Sequence, residues 1–240
     1  MEAAMTSNLE ALLQRRAIRA FDAVPVPSET REQILRAAIA APSSFNSQPY
    51  RLIWIEAPEM KEKAAELCLS QSAAVTASVL VVAVADLGLW KTTNEGQLRW
   101  MRKTGFGGDQ IREYEKKAKF AKWFYVQGWF NVFGVAKWVV LKTIHPWKVI
   151  GMVPVTKQGL FKWATKSAAL ACANLMIAAE ALGFNSCPME GFDGVRLGKF
   201  LGLSGRTQEI VMVIAIGKKS SKHADQPQWR RPLETTVTIL

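Results

Sequence analysis

The sequence predicts a sheet covered by helices, in a single α/β or α+β domain that spans residues 1–240. Two continuous apolar segments, residues 78–84 and 210–216, are typical of strands that are buried on both faces. Segments with helical periodicity and helix boundary signals alternate with the strands along the chain. The composition is 49% hydrophobic and 21% charged, which excludes disorder over most of the chain.

Local signals set the boundaries of the predicted elements in turn. Ser7 and Glu10 have the spacing of a capping box, which opens the first helix. Pro42 stops the second helix, and Gly183 ends a long apolar one. Asp193 is the expected N-cap of the last helix. The predicted helices span residues 9–16, 28–41, 60–69, 164–182 and 194–201, and the predicted strands span residues 50–55, 78–84 and 210–216.

One segment of the chain differs physically from the rest. The formal net charge is +11, and residues 102–166 hold 13 Lys and Arg against three acidic residues, a net of +10. Residues 100–163 also contain six of the nine tryptophans. We therefore treat about 100–163 as a basic, Trp-rich insertion. Lys137 interrupts its best apolar stretch, which argues against a membrane-spanning helix.

Composition also excludes several classes of protein. The N-terminus is acidic and has no apolar segment of the secretory type, so we expect a cytoplasmic protein. Three cysteines and two histidines lack metal-ligand spacing, so we expect neither a metal site nor a disulfide framework. The positive charge comes without a recognised nucleic-acid motif, so nucleic acid is not an expected partner.

Three separated clusters suit the binding of a phosphorylated, planar cofactor. Arg15, Arg16 and Arg19 place three guanidinium groups at a helix end, where their forked donors can hold a phosphate. Residues 42–49 offer hydroxyls and amides for the polar edge of a ring. The third cluster is residues 188–193, in which Gly191 permits close approach of a ligand to the backbone. Taken singly, each cluster has a simpler interpretation, respectively a solvated face, an ordinary turn and a helix-capping loop.

Taken together and in order, these motifs resemble the nitroreductase family of FMN-dependent NAD(P)H oxidoreductases. The resemblance covers about residues 7–85 and 160–240. It implies an α+β, nitroreductase-like fold with a central, mostly antiparallel sheet flanked by helices. It also implies an obligate homodimer with FMN at the subunit interface. The matching motifs are residues 15–21 (RRAIRAF), 41–50 (APSSFNSQPY), 188–193 (PMEGFD) and 230–232 (RRP).

The resemblance implies a role for each cofactor-binding position. The arginines would bind the FMN phosphate, and residues 42–46 would come from the partner subunit. Gln71 would contact the pyrimidine edge of the flavin, and the Glu190 backbone N–H would point at N5. The implied positions are Arg15, Arg16, Ala17, Arg19, Pro42, Ser43, Ser44, Asn46, Gln71, Pro188, Met189, Glu190, Gly191 and Arg230.

The implied activity is reduction of nitroaromatics, quinones or similar flat electron acceptors by a ping-pong mechanism. NAD(P)H would be the co-substrate, and the chemistry would belong to the flavin, with no catalytic side chain. Ala17, Ala73 and Gln228 stand where the family usually has a serine or a lysine. These departures leave open an alternative, a flavin- or ligand-binding protein without turnover.

The insertion has three interpretations. Its tryptophans could form core and dimer interface while its lysines are solvated. It could attach peripherally to anionic lipid at the inner face of the membrane, because Trp and Phe beside many lysines describe an interfacial helix. It could also form a lid that makes an aromatic pocket for a flat, apolar acceptor. The candidate pocket residues are Trp123, Phe124, Trp129, Phe130 and Phe133.

Overall fold

The computed structural model describes residues 8–126, 131–149, 151, 153–221 and 227–240. Within these ranges the chain forms ten α-helices and five β-strands. The strands are β1 (Phe21–Asp22), β2 (Tyr50–Ile55), β3 (Val79–Asp86), β4 (Asn185–Met189) and β5 (Gln208–Lys219). The helices are α1 (Asn8–Gln14), α2 (Ser28–Ile39), α3 (Pro58–Leu67), α4 (Ser72–Thr76), α5 (Leu89–Lys103), α6 (Gly108–Tyr125), α7 (Val132–Ile144), α8 (Lys157–Ala181), α9 (Gly194–Phe200) and α10 (Leu233–Thr236).

The described strands form one sheet in which all strand pairs are antiparallel. The order is β1-β5-β3-β2. β4 also pairs with β5, on the edge of β5 that β1 occupies and directly next to β1. The two apolar segments predicted as buried strands are β3 and the centre of β5. This arrangement confirms the α+β class with a mostly antiparallel central sheet.

The core lies on both faces of the sheet. Leu80, Val82 and Val84 point into a layer that includes residues of α3, α4 and α9. The residues between them in β3 point into a second layer, formed with α2 and α8. Every residue of β3 is buried. Because helices cover both faces, its sequence is apolar from Val79 to Ala85 and does not alternate.

The cysteines are part of this core. Cys68 and Cys187 lie in one layer and Cys172 in the other, and all three are free thiols. Burial raises the pKa of Cys68 to about 11 and that of Cys172 to about 12. They are therefore protonated near neutral pH and pack as small apolar residues.

Several boundaries differ from the sequence-based prediction. The short strands β1 and β4 are not predicted, because their few residues depend on pairing with β5. α8 begins at Lys157, so the end of the predicted insertion is the first part of that helix. α5 begins at Leu89, before the predicted insertion starts. Ser7, half of the predicted capping box, lies outside the described residues.

Three helices, α5, α6 and α7, connect β3 to α8. α5 packs against α6, and the C-terminal end of α6 joins the core of the domain. There, Phe124 and Tyr125 pack with Leu160 and Ala164 of α8. In the part of the chain that is described, none of the helices has both the length and the apolar character needed to cross a membrane.

Candidate functional site

The three arginines predicted to bind phosphate lie where α1 meets the sheet. α1 ends directly before Arg15. Ala17 then forms a parallel bridge with Ser186 of β4, and the Ile18 N–H donates to Ser186 O at 3.1 Å. The backbone of this segment is thereby fixed to the sheet, which sets the positions from which the arginine side chains project.

Arg15 has a buried side-chain nitrogen that lacks a partner in the described part of the chain. Its Nη1 is inaccessible to solvent and finds no hydrogen-bond partner among the described residues. A buried donor without a partner is costly, and a bound anion would satisfy it. Burial raises the pKa of Cys187, and the nearby charges of Arg19 and Arg15 oppose that rise. Glu180 lies close enough to interact with Arg15, but its carboxylate accepts from Asn185 at 3.3 Å.

The late segment of the chain reaches this cluster through Gln228. Gln228 Nε2 donates to the backbone O of Arg15 at 3.3 Å. The exposed guanidinium of Arg230 donates instead to the backbone O of Trp229 at 3.0 Å. The structure thus brings the segment that contains Arg230 to the cluster, while the hydrogen bond of the Arg230 side chain is local.

Gln71 and Gly191 are 120 residues apart in the sequence and in direct contact in the structure. Gln71 Nε2 donates to Gly191 O at 2.6 Å and to Cys68 O at 3.0 Å. Both amide hydrogens are thus used on the main chain, which leaves Oε1 available as an acceptor. A Cβ at position 191 would lie 3.2 Å from Gln71 Nε2, so glycine suits this close approach.

The segment 188–193 divides between a strand and a turn. Pro188 and Met189 belong to β4 and pair with β5, which corrects the expectation that this whole segment is a loop. The turn begins at Glu190, which is exposed. The Asp193 carboxylate accepts from the Arg196 N–H at 2.9 Å, which confirms that Asp193 caps α9.

The serine-rich loop is held in a defined shape by its own hydrogen bonds. Ser43 Oγ accepts from the Gln48 N–H at 3.0 Å, and Asn46 Oδ1 accepts from Gln48 Nε2 at 2.9 Å. Between them, Ser44–Asn46 forms a 3-10 turn. The non-glycine residues with positive φ are concentrated here and directly before Gln71: Phe45, Asn46, Gln48, Leu69 and Ser70. Such conformations are costly and tend to persist at functional sites.

Within one chain, the serine-rich loop and the arginine cluster lie at opposite ends of the sheet. Ser186, which holds the arginine segment, is level with Val79, because both pair with Ile216. The loop ends at Pro49, whose O accepts from the Asp86 N–H at the other end of β3. Val79 and Asp86 are seven residues apart along β3, which corresponds to a distance of about 23 Å. One chain therefore does not bring Ser43, Ser44 and Asn46 to the arginines.

An aromatic cavity of about 630 Å³ adjoins the serine-rich loop. Phe45 of the loop lies 6.0 Å from Phe120 and 6.2 Å from Phe124, between ring centroids. Trp123 and Trp163 also line the cavity. Of the predicted pocket residues, Trp123 and Phe124 are thus placed here, with Phe124 largely in the core.

Phe133 lines a different cavity, of about 400 Å³, between α6 and α7. Trp123 lines both cavities. Trp129 and Phe130 lie outside the described residues. The insertion therefore forms aromatic cavities, as one of the three interpretations predicts, but the predicted residues do not all share one of them.

Residues 12–218 match the family model described as "Nitroreductase family". The chain belongs to the nitroreductase family. The match includes the segments of the arginines, the serine-rich loop, Gln71 and β4, so the motifs of this nitroreductase-family protein lie inside the matched region.

Two relatives extend over nearly the whole chain. An NADH dehydrogenase from Thermus thermophilus is 29% identical over 230 residues, which covers 95% of this chain and 93% of the relative. An oxygen-insensitive NAD(P)H nitroreductase from Salmonella typhimurium is 27% identical over 235 residues, covering 94% of this chain and 96% of the relative.

Solved structures share the fold. A chain from Exiguobacterium sibiricum, solved in complex with FMN, has a TM-score of 0.76 at 22% identity and covers 100% of both chains. The enone reductase CLA-ER, from a gut-bacterial fatty acid pathway, has a TM-score of 0.71 at 18% identity and covers 98% of both. These likenesses confirm the nitroreductase-like fold of this chain.

A buried polar cluster that no sequence motif indicates lies beneath the serine-rich loop. The Asp86 carboxylate is 3% exposed and accepts from Arg51 Nε at 2.5 Å. It also accepts from Gln208 Nε2 and the Gly88 N–H, both at 2.8 Å. Burial alone would raise the pKa of Asp86, but these hydrogen bonds and the charge of Arg51 lower it. Asp86 lies just after the predicted strand 78–84, and no local pattern signals its role.

Proposed function

We propose that this protein is an FMN-dependent oxidoreductase that uses NAD(P)H to reduce nitroaromatics, quinones or similar flat electron acceptors. Membership of the nitroreductase family supports the proposal. The observation that favours it most is the buried Nη1 of Arg15, which is unpaired among the described residues. A phosphate would supply both the missing acceptor and the negative charge that three neighbouring arginines favour.

The phosphate is assigned to Arg15, Arg16, Arg19 and Arg230. The first three lie on a segment fixed to β4, so little further ordering is needed when the phosphate binds. Arg230 lies two residues after Gln228, whose hydrogen bond to Arg15 O brings this part of the chain to the cluster. Gln228 supplies a neutral contact where the family usually has a lysine.

The ring of FMN is assigned to Gln71 and the turn after β4. Gln71 Oε1 is the proposed acceptor for the N3–H of the ring, because its amide hydrogens are already used on the main chain. The Glu190 backbone N–H, at the exposed start of the turn, is the proposed donor to N5. When bound, FMN supplies the hydride chemistry, and the protein binds and orients it.

We further propose that two copies of the chain complete each site. The serine-rich loop lies about 23 Å from the arginine cluster of its own chain, as judged along β3, so the partner's copy of Pro42, Ser43, Ser44 and Asn46 is the one assigned to the flavin. The last segment of the chain, residues 229–240, also favours a partner, because its large apolar side chains are exposed. They are Trp229, Leu233, Val237, Ile239 and Leu240.

The aromatic cavity is the proposed site of the acceptor. Because Phe45 belongs to the loop assigned to the flavin, the cavity lies directly beside that loop. Its walls are mostly rings and aliphatic side chains, with Ser44 and Lys148 beside them, and such walls favour flat, largely apolar molecules. NAD(P)H and the acceptor would use the same exposed face of the ring in turn, so initial rates should give the parallel-line pattern of a ping-pong mechanism.

The test is the visible absorbance spectrum of the purified protein, before and after anaerobic addition of NADPH or NADH. We expect a flavin spectrum that bleaches with the nicotinamide and returns when a quinone or nitroaromatic is added, and the released chromophore should be FMN. An FMN spectrum that does not bleach with either nicotinamide would favour the alternative, a flavin-binding protein without turnover. A colourless protein that cannot be reconstituted with FMN would contradict both.

A further inference from the structure

Helix α7 buries one of its lysines and exposes most of its large apolar residues. Its two buried residues are Gly134 and Lys137. Gly134 packs so closely that a Cβ there would overlap the backbone O of Val155 and the side chain of Asn131. Lys137 is 4% exposed, and its Nζ donates to Val126 O at 2.6 Å and to Phe124 O at 3.2 Å. It thereby satisfies carbonyl groups at the C-terminal end of α6.

These two contacts fix the orientation of α7. Rotation of the helix would push a side chain into Val155 and would remove the lysine from the carbonyls of α6. The expectation that the lysines of the insertion are solvated is therefore wrong for Lys137. Burial lowers the pKa of Lys137. At the C-terminal end of α6, its amino group makes the hydrogen bonds that water would make to the carbonyls of an exposed helix end.

The opposite face of α7 is exposed, and it is apolar from Val132 to Val140. Val132, Val135 and Val139 are 62%, 56% and 47% exposed, and their spacing places them in one stripe along the outer side. Soluble helices normally have the reverse pattern, and a continuous exposed apolar face indicates an interaction surface. We call this surface the α7 face; its exposed apolar residues are Val132, Phe133, Val135, Trp138, Val139 and Val140.

Positive charge surrounds the α7 face. Lys119 and Lys122 of α6 line the cavity that Phe133 and Val140 also line. Lys142 places its Nζ 4.8 Å from the centre of the Trp138 ring. The sequence has no Asp or Glu from residue 116 to residue 179. A second copy docked symmetrically on this face would bring lysines toward lysines, whereas an anionic surface would complement them.

We propose that the α7 face binds the surface of a membrane that contains anionic lipid. α7 has 13 residues, about 20 Å of helix, so it would lie in the plane of the interface and not cross it. The valines and Trp138 would enter the boundary between headgroups and acyl chains, and the lysines at the rim would contact lipid phosphates. This surface goes beyond the proposed function, and its binding requires neither flavin nor turnover.

The test is co-sedimentation of the whole protein with vesicles of phosphatidylcholine, with and without phosphatidylglycerol, at low and high salt. We expect binding only with phosphatidylglycerol, weakened by salt. Val139→Glu should lower the partition coefficient by about tenfold or more, because it places a carboxylate where the acyl boundary would be. Lys119→Gln combined with Lys122→Gln should lower it by a similar factor.

The matched control is Val195→Glu, which changes an exposed valine on α9 and should leave binding unchanged. Both valines are exposed, so circular dichroism should show that each variant is folded. No binding to the anionic vesicles, or equal binding of wild type and Val139→Glu, would overturn the proposal. It would also be overturned if Val139→Glu lowered the oligomeric mass without vesicles, because a second copy would then cover the α7 face. Flavin content, measured in parallel, tests the proposed function separately.

Discussion

The buried carboxylate of Asp86 allows a quantitative prediction about stability. Asp86→Ala removes the acceptor for three donors: Arg51 Nε, Gln208 Nε2 and the Gly88 N–H. Hydrogen bonds to a charged group contribute about 1.5–3 kcal/mol each, and abandoned donors add a desolvation cost. Arg51 is half exposed and Gly88 is exposed, so water would recover part of the loss. We expect the free energy of unfolding to fall by about 2–4 kcal/mol.

The measurement is urea unfolding at fixed protein and FMN concentrations, because bound ligand also stabilises the folded state. Arg51→Ala is the matched control, since it removes one half-exposed donor and leaves the carboxylate two others; it should cost about 1.5 kcal/mol, the lower end for one hydrogen bond to a charged group. A loss below 1 kcal/mol for Asp86→Ala, or a loss equal to that of Arg51→Ala, would refute the argument that burial makes this carboxylate important.

The pH dependence gives an independent check. The pKa of Asp86 is lowered in the folded protein, whereas in the unfolded chain it is about 3.9. The contribution of ionised Asp86 to the free energy of unfolding is therefore fully present above its pKa in the unfolded chain. It is lost as the pH falls through the lower pKa of the folded protein. The difference between wild type and Asp86→Ala should be constant near neutral pH and should shrink below about pH 4. A difference that stays constant into the acid range would contradict this.

Three further predictions concern the candidate site. Arg15→Gln should weaken FMN binding by about 10- to 100-fold, because charge-assisted hydrogen bonds contribute about 1.5–3 kcal/mol, and fluorescence titration of the apoprotein measures this. Gly191→Ala should weaken FMN binding several-fold, because its Cβ would lie 3.2 Å from Gln71 Nε2 and displace that amide. The same change in a Gln71→Ala background should have little additional effect, since the two residues are coupled. Phe45→Gly should raise the KM for a quinone acceptor about two- to tenfold through loss of aromatic contact, while the glycine accommodates the positive φ without strain.

Each of these predictions has a control. Arg206→Gln changes an exposed arginine in the loop before β5 and should leave FMN affinity unchanged; an equal loss in both arginine variants would contradict the phosphate assignment. Additive effects of the Gly191 and Gln71 changes would contradict their coupling at the ring. For Phe45→Gly, a KM for NADPH that rises as much as the KM for the quinone would argue against a separate acceptor pocket.

Much of the fold could be predicted because its main elements have strong local signals. β3 is apolar from Val79 to Ala85 because helices cover both its faces, and this pattern is visible without any structure. Asp193 was identified as an N-cap because the bond it makes to the Arg196 N–H is only three residues away. β1 and β4 have no such signal, since a two-residue strand such as Phe21–Asp22 exists only because β5 offers an edge.

The candidate site was predictable as a set of motifs but not as an assembly. The order of the arginines, the serine-rich loop and the turn after β4 identified the family. That Gln71 binds Gly191 across 120 residues, and that the loop lies far from the arginines of its own chain, depend on the register of the sheet. Neither could be inferred from local spacing.

The sequence by itself determined the α+β class, the family and the presence of a basic, Trp-rich segment, because apolar periodicity, ordered motifs and charge are properties of the linear chain. Only the tertiary structure decided how α7 is oriented. Its apolar residues occur all around the helix, so periodicity favours no face, and a lysine would ordinarily be placed in solvent. The close packing of Gly134 on Val155 and the carbonyls of α6 that bind Lys137 turn the valines outward.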